Sequence, residues 1–361
     1  MKDEVTLMKG NEALAMAAIR YGADAYFGYP ITPQSEVLEK LEEEMPWDTT
    51  GMVVLQAESE VAAINMVYGG AMTGKAVLTS TSSPGFSLMQ EGVSYLAASE
   101  VPALLINVQR GGPGLGTIHA SQADYFQACK GGGHGDYRMI VLAPSSVQEM
   151  ADMVALGFDL AFKYRCVSMI LADGTIGQLM EKVVLPEQRP RRTDEQIRQQ
   201  CPWAVNGRKG MRPSNVVTSL ELDDDKMEEN NWRFQACYRE IEKNETRCEL
   251  VNVDDCDYLI TAFGTTARIA MKTMELARKE GIKVGLFRPI TLWPFPEKQL
   301  REAAKNVKGI LCVELNAGQM IEDVKLAVEC KMPVEHYGRF GGNVPTPDEL
   351  LNVLKEKLIN K

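Results

Sequence analysis

Short, continuously apolar runs alternate with helix-period segments along most of this chain, and no other feature constrains the fold as tightly. GNEALAMAAIRYGA reads as an amphipathic helix entered near Asn11, followed by a short strand at 25–29. SEVLEKLEEEM is a second helix, opened by Ser35. MVVLQ, AVLTST, ALLINVQ and MIVLAP read as strands with helices between them. SVQEMADMVALGFDLAFKYR repeats apolar residues at helical spacing behind Ser145 and Ser146, and CVSMILAD is a further strand. Strands this continuously apolar are buried on both faces, which calls for a mostly parallel, doubly wound sheet covered by helices.

The rhythm stops at Pro186. From there to about Asp255 the chain is rich in Pro, Arg, Gln, Asn and acids, and only DDDKMEENNWRFQACYREIEKNE reads as a regular piece, an exposed helix. Alternation resumes in DYLITAFGTTARIAMKTMELARKEGIKVGLFRPITLWPFP and continues through GILCVELN and VEHYGRF. The division expected is a first α/β domain at 1–187, a linker with an embedded helix at 188–254, and a second α/β domain at 255–361; 361 residues suffice for two cores.

Composition narrows the classes. With 45% hydrophobic and 24% charged residues the chain reads as soluble and globular. No apolar stretch reaches membrane-spanning length and MKDEVTLMKG lacks a signal-peptide core, so a cytoplasmic location is expected. A net charge of −10 without a basic stripe argues against nucleic-acid binding, and the basic run Arg189-Pro190-Arg191-Arg192 reads as solvated linker. The eight cysteines form no CxxC pair, so neither an iron–sulfur nor a zinc site is expected in this chain; buried, inert thiols in a reducing compartment are.

The chemistry gathers in 53–92, VVLQAESEVAAINMVYGGAMTGKAVLTSTSSPGFSLMQEG. A strand runs into Glu60, a helix of small residues follows, and the next strand opens into a Ser/Thr-rich turn closed by Pro84-Gly85. Helix stability needs no acid at so apolar a transition, and burying a carboxylate is costly unless it is paired or used. Small residues (Ala62, Ala63, Gly69, Ala71) let another group approach, and Thr79–Gly85 lies at a strand's carboxyl end, where open α/β sheets bind ligands.

This pattern resembles the pyrimidine-binding domain of thiamine-diphosphate enzymes. The resemblance implies that Glu60 bonds the ring nitrogen N1′ of the cofactor's aminopyrimidine, favouring the imino tautomer that deprotonates C2. Glu58 is the rival acid, but Glu60 alone puts a glycine at the expected distance. Tyr29-Pro30-Ile31-Thr32-Pro33 and Asn107-Val108-Gln109-Arg110-Gly111-Gly112-Pro113, in order with QAESEVAAINMVYGG and SSPGFSLMQEG, look like the α subunit of 2-oxoacid:ferredoxin oxidoreductases. Within that family, GLGTIHASQADYFQACKGGGHGDYR and VLAPSSVQEM are most similar to the 3-methyl-2-oxobutanoate (2-ketoisovalerate) type.

The resemblance implies a thiamine-diphosphate-binding fold plus a transketolase C-terminal-like domain. It implies Thr32 and Arg110 as contacts of the 2-oxoacid carboxylate, the natural bidentate partner of a guanidinium. Pro30, Ser83, Pro84 and Gly85 would line the cofactor with Glu60. The implied reaction is decarboxylation of the 2-oxoacid, stepwise oxidation by iron–sulfur clusters and capture of the acyl group by coenzyme A. Ala172-Asp173-Gly174 with Asn206 only imitates the GDG…N motif that holds diphosphate and magnesium, because a Pro/Arg-rich segment intervenes. A partner β subunit would then hold diphosphate and magnesium, and a γ or ferredoxin-like subunit the clusters that feed ferredoxin, in a heteromer that also self-associates through this chain.

Plainer readings stand beside these. Glu60 could serve the helix dipole, Thr32 could cap the next helix, and Arg110 could be an exposed loop cation. His119 and His134 read as hydrogen-bonding loop residues, GGGHG at 131–135 as a flexible loop, and Gly264-Thr265-Thr266 as a turn able to receive an anion. A 2-oxoglutarate-specific α subunit and a non-catalytic partner-binding module remain the alternative functions.

Overall fold

The computed structural model describes residues 5–208, 210 and 212–360. β1 (Val5–Lys9) leads into α1 (Gly10–Tyr21), then β2 (Ala25–Gly28), α2 (Ser35–Glu44), the single turn α3 (Pro46–Thr49) and β3 (Val53–Gln56). α4 (Glu60–Ala71), β4 (Val77–Thr81), α5 (Ser83–Ala98), β5 (Ala103–Gln109) and α6 (Tyr125–Cys129) follow. β6 (Ile140–Leu142), α7 (Val147–Tyr164), β7 (Val167–Asp173), α8 (Gly174–Gln178) and β8 (Met180–Val184) complete the first run, with β8 pairing back on β1.

The main sheet has the order β6-β7-β5-β4-β2-β3, every neighbour parallel. β4, β5 and β7 are buried along their whole length, as their unbroken apolar runs require. β3 differs: it is the sheet's edge, and Val53 and Leu55 face outward, 50% and 44% exposed.

α9 (Asp194–Gln200) and α10 (Asp224–Asn244) occupy the polar middle of the chain. The Arg-rich run ahead of them is only partly solvated: Arg189 and Pro190 are exposed, but Arg191 and Arg192 are not. Arg191 bonds the buried carboxylate of Asp24 through Nε and Nη2, at 3.1 and 2.9 Å, while Arg192 bonds Gly74 O and lies over the Phe162 ring. A buried acid needs a cation, and this strap supplies it. Nor is α10 wholly exposed: Phe234, Tyr238 and Ile241, on one stripe, are buried, Tyr238 edge-on to Trp293.

β9 (Cys248–Val251), β10 (Tyr258–Thr261), α11 (Gly264–Lys279), β11 (Val284–Pro289), β12 (Thr291–Trp293), α12 (Glu297–Ala303), β13 (Gly309–Glu314), α13 (Met320–Ala327), β14 (Val334–Gly338) and α14 (Pro347–Leu354) follow. A second sheet has the order β14-β13-β10-β11-β9, parallel except for β9. β12 instead crosses to the first sheet and pairs antiparallel with β6, so the two sheets share a chain connection. No helix among the described residues is long and apolar enough to cross a membrane.

The two sheets meet through buried polar groups with complete partners. Asp173, at the end of β7, accepts Thr175 N and Ile176 N at 3.1 Å each, Thr265 N at 2.9 Å and Thr265 Oγ1 at 2.6 Å, capping α8 and α11 together. Gln122 donates to Phe263 O at 2.7 Å and accepts Leu315 N at 3.0 Å, and its own carbonyl accepts Asn316 Nδ2 at 2.7 Å. Gln122→Ala leaves the Leu315 N–H buried without an acceptor, so a loss of about 2 kcal/mol is expected in denaturant unfolding; an unchanged midpoint would show that this junction does not hold the sheets together.

Candidate active site

The carboxyl ends of β2, β3, β4 and β5 open on one edge of the first sheet, and every residue singled out in the sequence except the decoys lies there. Glu60 starts α4. Ser59 does the capping, its hydroxyl accepting Ala62 N at 3.2 Å, so Glu60 has no capping duty. It is 7% exposed and accepts no hydrogen bond from a described residue, whereas Glu58 is exposed.

Gly85, in the first turn of α5, explains the Pro-Gly pair. A Cβ there would collide with the Thr81 hydroxyl and lie 2.6 Å from Glu60 Oε1. Only glycine lets the carboxylate rest against this helix end. The α5 N-terminus has no side-chain cap, so its backbone N–H groups favour negative charge at this edge.

Arg110, just past β5, is 7% exposed and so is no surface cation. Its guanidinium donates to Thr32 O at 2.8 Å and Leu115 O at 3.1 Å, its Nε is unpartnered, and it forms no ion pair with a described residue. Thr32 is brought to Arg110 through its carbonyl; its exposed side chain caps nothing, since Gln34 is the N-cap of α2. Pro30 is exposed at the same edge. Ser83 Oγ accepts Arg110 N at 3.0 Å and donates to Asp124 Oδ2 at 2.6 Å.

Of the ten buried side-chain atoms without partners among the described residues, five gather here: the hydroxyls of Thr79, Thr81 and Ser82, Asn107 Oδ1 and Arg110 Nε. In a protein whose sheet-to-sheet junction is so fully bonded, such a group of orphans marks a place where a ligand completes the bonding. Asn107 and Asp124 were not legible as site residues; the sole local hint was Asn107, a polar residue inside the apolar ALLINVQ.

The other candidates resolve structurally. The GGGHG loop is pinned rather than flexible, with His134 N donating to Ser94 Oγ at 2.7 Å and Gly133 N to Tyr137 Oη at 3.1 Å. His119 bonds Thr117 Oγ1 through Nδ1 at 2.9 Å, on the exposed loop beyond Arg110. The anion received by Gly264-Thr265-Thr266 is the chain's own Asp173, and Asn206 accepts from Arg212 at 2.7 Å.

Comparison with known proteins gives the family. Residues 16–244 match the family described as pyruvate flavodoxin/ferredoxin oxidoreductase, thiamine diphosphate-binding, and residues 256–350 match pyruvate:ferredoxin oxidoreductase core domain II. The ketoisovalerate oxidoreductase subunit VorB of Methanothermobacter marburgensis is 47% identical over 97% of either chain. The 2-oxoglutarate synthase subunit KorA of the same organism is 35% identical over 97% of this chain and 98% of its own. Among solved structures, the 2-oxoglutarate:ferredoxin oxidoreductase from Magnetococcus marinus superposes with a TM-score of 0.85 at 28% identity, covering 99% of this chain and 65% of that one. A split-gene transketolase, at 13% identity and a TM-score of 0.61, shares the fold. A buried carboxylate facing an uncapped helix end, a buried guanidinium without an anion, and these relatives over nearly the whole length lead to one assignment: the chain belongs to the 2-oxoacid:ferredoxin oxidoreductases, as a subunit that carries their thiamine-diphosphate-binding domain.

Proposed function

We propose that the chain is the α-type subunit of a heteromer that oxidatively decarboxylates a branched-chain 2-oxoacid, 2-ketoisovalerate, with coenzyme A and passes the electrons to ferredoxin. The observation that carries this reading is Arg110, a buried guanidinium that among the described residues bonds only two carbonyls, at the carboxyl edge of a parallel sheet. A desolvated guanidinium is costly without an anion, and a 2-oxoacid carboxylate matches its planar donors. Thr32, whose carbonyl orients Arg110, holds its hydroxyl at the same edge as a further donor. The α5 N-terminus adds positive potential.

The loop after Arg110 supports the apolar substrate. Leu115 and Ile118 are 81% and 55% exposed there, and 111–119 contains no lysine or arginine. A branched aliphatic tail matches these side chains; the second carboxylate of 2-oxoglutarate would find no lysine or arginine on this loop. The 47% identity to ketoisovalerate oxidoreductase subunits, against 35% to a 2-oxoglutarate synthase subunit, points the same way.

Glu60, the wall formed by Pro84 and Gly85, Ser83 behind them and exposed Pro30 fit the aminopyrimidine half of thiamine diphosphate. When bound, thiamine diphosphate supplies the nucleophilic carbon and the electron sink for decarboxylation. Glu60 shares a proton with the pyrimidine ring nitrogen, a task its unpartnered carboxylate is free to perform. The first turn of α5, at Gly85, holds the Glu60 carboxylate in place, and its burial limits access of water to it. Diphosphate and magnesium belong to a partner β chain in this reading, because Asp173 is fully bonded to Thr175, Ile176 and Thr265. A cluster-bearing subunit takes the electrons, and copies of this chain associate with one another.

Reduction of a low-potential acceptor by the co-purified heteromer, with coenzyme A and a panel of 2-oxoacids, tests the reading. A kcat/KM for 2-ketoisovalerate about tenfold or more above that for 2-oxoglutarate is expected; the reverse order would make this the 2-oxoglutarate type, and no turnover at all would leave a partner-binding module. Gly85→Ala pushes against Glu60 Oε1, so kcat is expected to fall about tenfold or more in an assembled complex. Undiminished kcat would separate Glu60 from the chemistry.

A further inference from the structure

Asp124 is a carboxylate that the reaction scheme above leaves unused and the fold holds with unusual care. It sits at the N-cap position of α6 but caps nothing. Its side chain turns instead to the sheet edge, where a single oxygen, Oδ2, accepts both Ser83 Oγ at 2.6 Å and Asn107 Nδ2 at 2.9 Å. Its backbone N–H donates to Gln109 Oε1 at 3.1 Å. Ser83 Oγ in turn accepts Arg110 N at 3.0 Å. Asp124, Ser83, Arg110 and Gln109 thus form a closed ring of contacts joining the end of β5, the start of α5 and the start of α6.

The segment carrying Asp124 is bolted from the other side by the second sheet's helices and turns. Ser121 Oγ donates to Leu315 O at 3.2 Å and Gln122 is bonded as described. Gln319 donates to Ala123 O and accepts Phe126 N, both at 2.7 Å. Tyr125 Oη donates to Asp323 Oδ2 at 2.5 Å, and Lys130 pairs with Asp323. Asp124 forms no ion pair with a described residue, and burial pushes its carboxyl up against the opposing pull of Ser83 and Asn107. A structural cap would be satisfied locally; this carboxylate is held against the one serine that grips Arg110.

We infer that Asp124 is a positioning residue for 2-oxoacid binding: by holding the Ser83 hydroxyl it fixes the Arg110 backbone, and with it the direction in which the guanidinium meets the substrate carboxylate. The inference rests on the reading that Arg110 binds that carboxylate. Because Oδ2 takes both hydrogen bonds, an asparagine can reproduce them with its one oxygen; an alanine cannot.

The test is steady-state kinetics of the co-purified heteromer with 2-ketoisovalerate for Arg110→Ala, Asp124→Ala, Asp124→Asn, Ser83→Ala and the Asp124→Ala/Ser83→Ala double variant. Asp124→Ala is expected to raise KM about tenfold while kcat changes much less, since the loss is in substrate alignment. Asp124→Asn is expected to restore KM to near the wild-type value. The double variant should raise KM no further than the larger single effect, because both remove one link. If Asp124→Ala prevents assembly, a rise in KM in Ser83→Ala that exceeds any fall in kcat supports the link, and an unchanged KM there overturns it. Arg110→Ala separates the two claims. An unchanged KM in that variant defeats the carboxylate reading itself, whereas a raised KM with Asp124→Ala unchanged, or with additive effects in the double variant, defeats only the role of Asp124.

Discussion

The structure depends on one constraint: polar groups buried between the two sheets must all find partners. Water cannot reach Asp173, Gln122 or Asn316, so each must be bonded by protein or destabilise the fold. They are bonded, mostly to backbone groups at helix starts and strand ends. That requirement fixes the angle between the sheets, and it also fixes the segment 121–130 that runs between them. The loop carrying Arg110 is therefore set by a junction that touches no substrate.

Against that fully bonded junction the neighbouring strand ends, β4 and β5 beside Asp173 of β7, stand out. There the same kinds of group, threonine and serine hydroxyls, an asparagine oxygen and a guanidinium nitrogen, are buried and unpartnered. Glu60 lies among them with no hydrogen-bond donor from a described residue, pressed to α5 by the absence of a side chain at Gly85. The contrast separates polar groups that build the molecule from polar groups held for a ligand. It also fits the proposal that a partner supplies the other half of the cofactor site, since Asp173, in the motif resembling a diphosphate and metal site, caps two helices instead.

Much of this was legible in the residues. The unbroken apolar runs of β4, β5 and β7 imposed the parallel sheet, Glu60 was visible because its charge sits where helix stability does not need it, and Arg110 was visible only through the resemblance that its motif carries. Other features were not legible, for physical reasons. β12 is three residues long and carries no period, so nothing local says that it leaves its neighbours to pair with β6. Arg191 looked solvated because its partner, Asp24, is 167 residues away. Asp124 was silent because its partners lie 41 and 17 residues off, and an aspartate before a short helix reads as a cap. Long-range pairing of charges is set by the fold, and only their presence is written locally.

The central claim is that Glu60 shares a proton with the pyrimidine of thiamine diphosphate once a partner chain completes the site. Exchange of the cofactor's C2 proton with deuterated solvent, followed by rapid quench and proton NMR on the assembled heteromer, reads that role before any substrate is present. Replacing Glu60 by glutamine preserves shape and removes the shared proton. Exchange slowed by about a hundredfold or more in Glu60→Gln, with cofactor still bound, is the result predicted. Exchange at the wild-type rate would contradict the assignment of Glu60 and with it this account of the site.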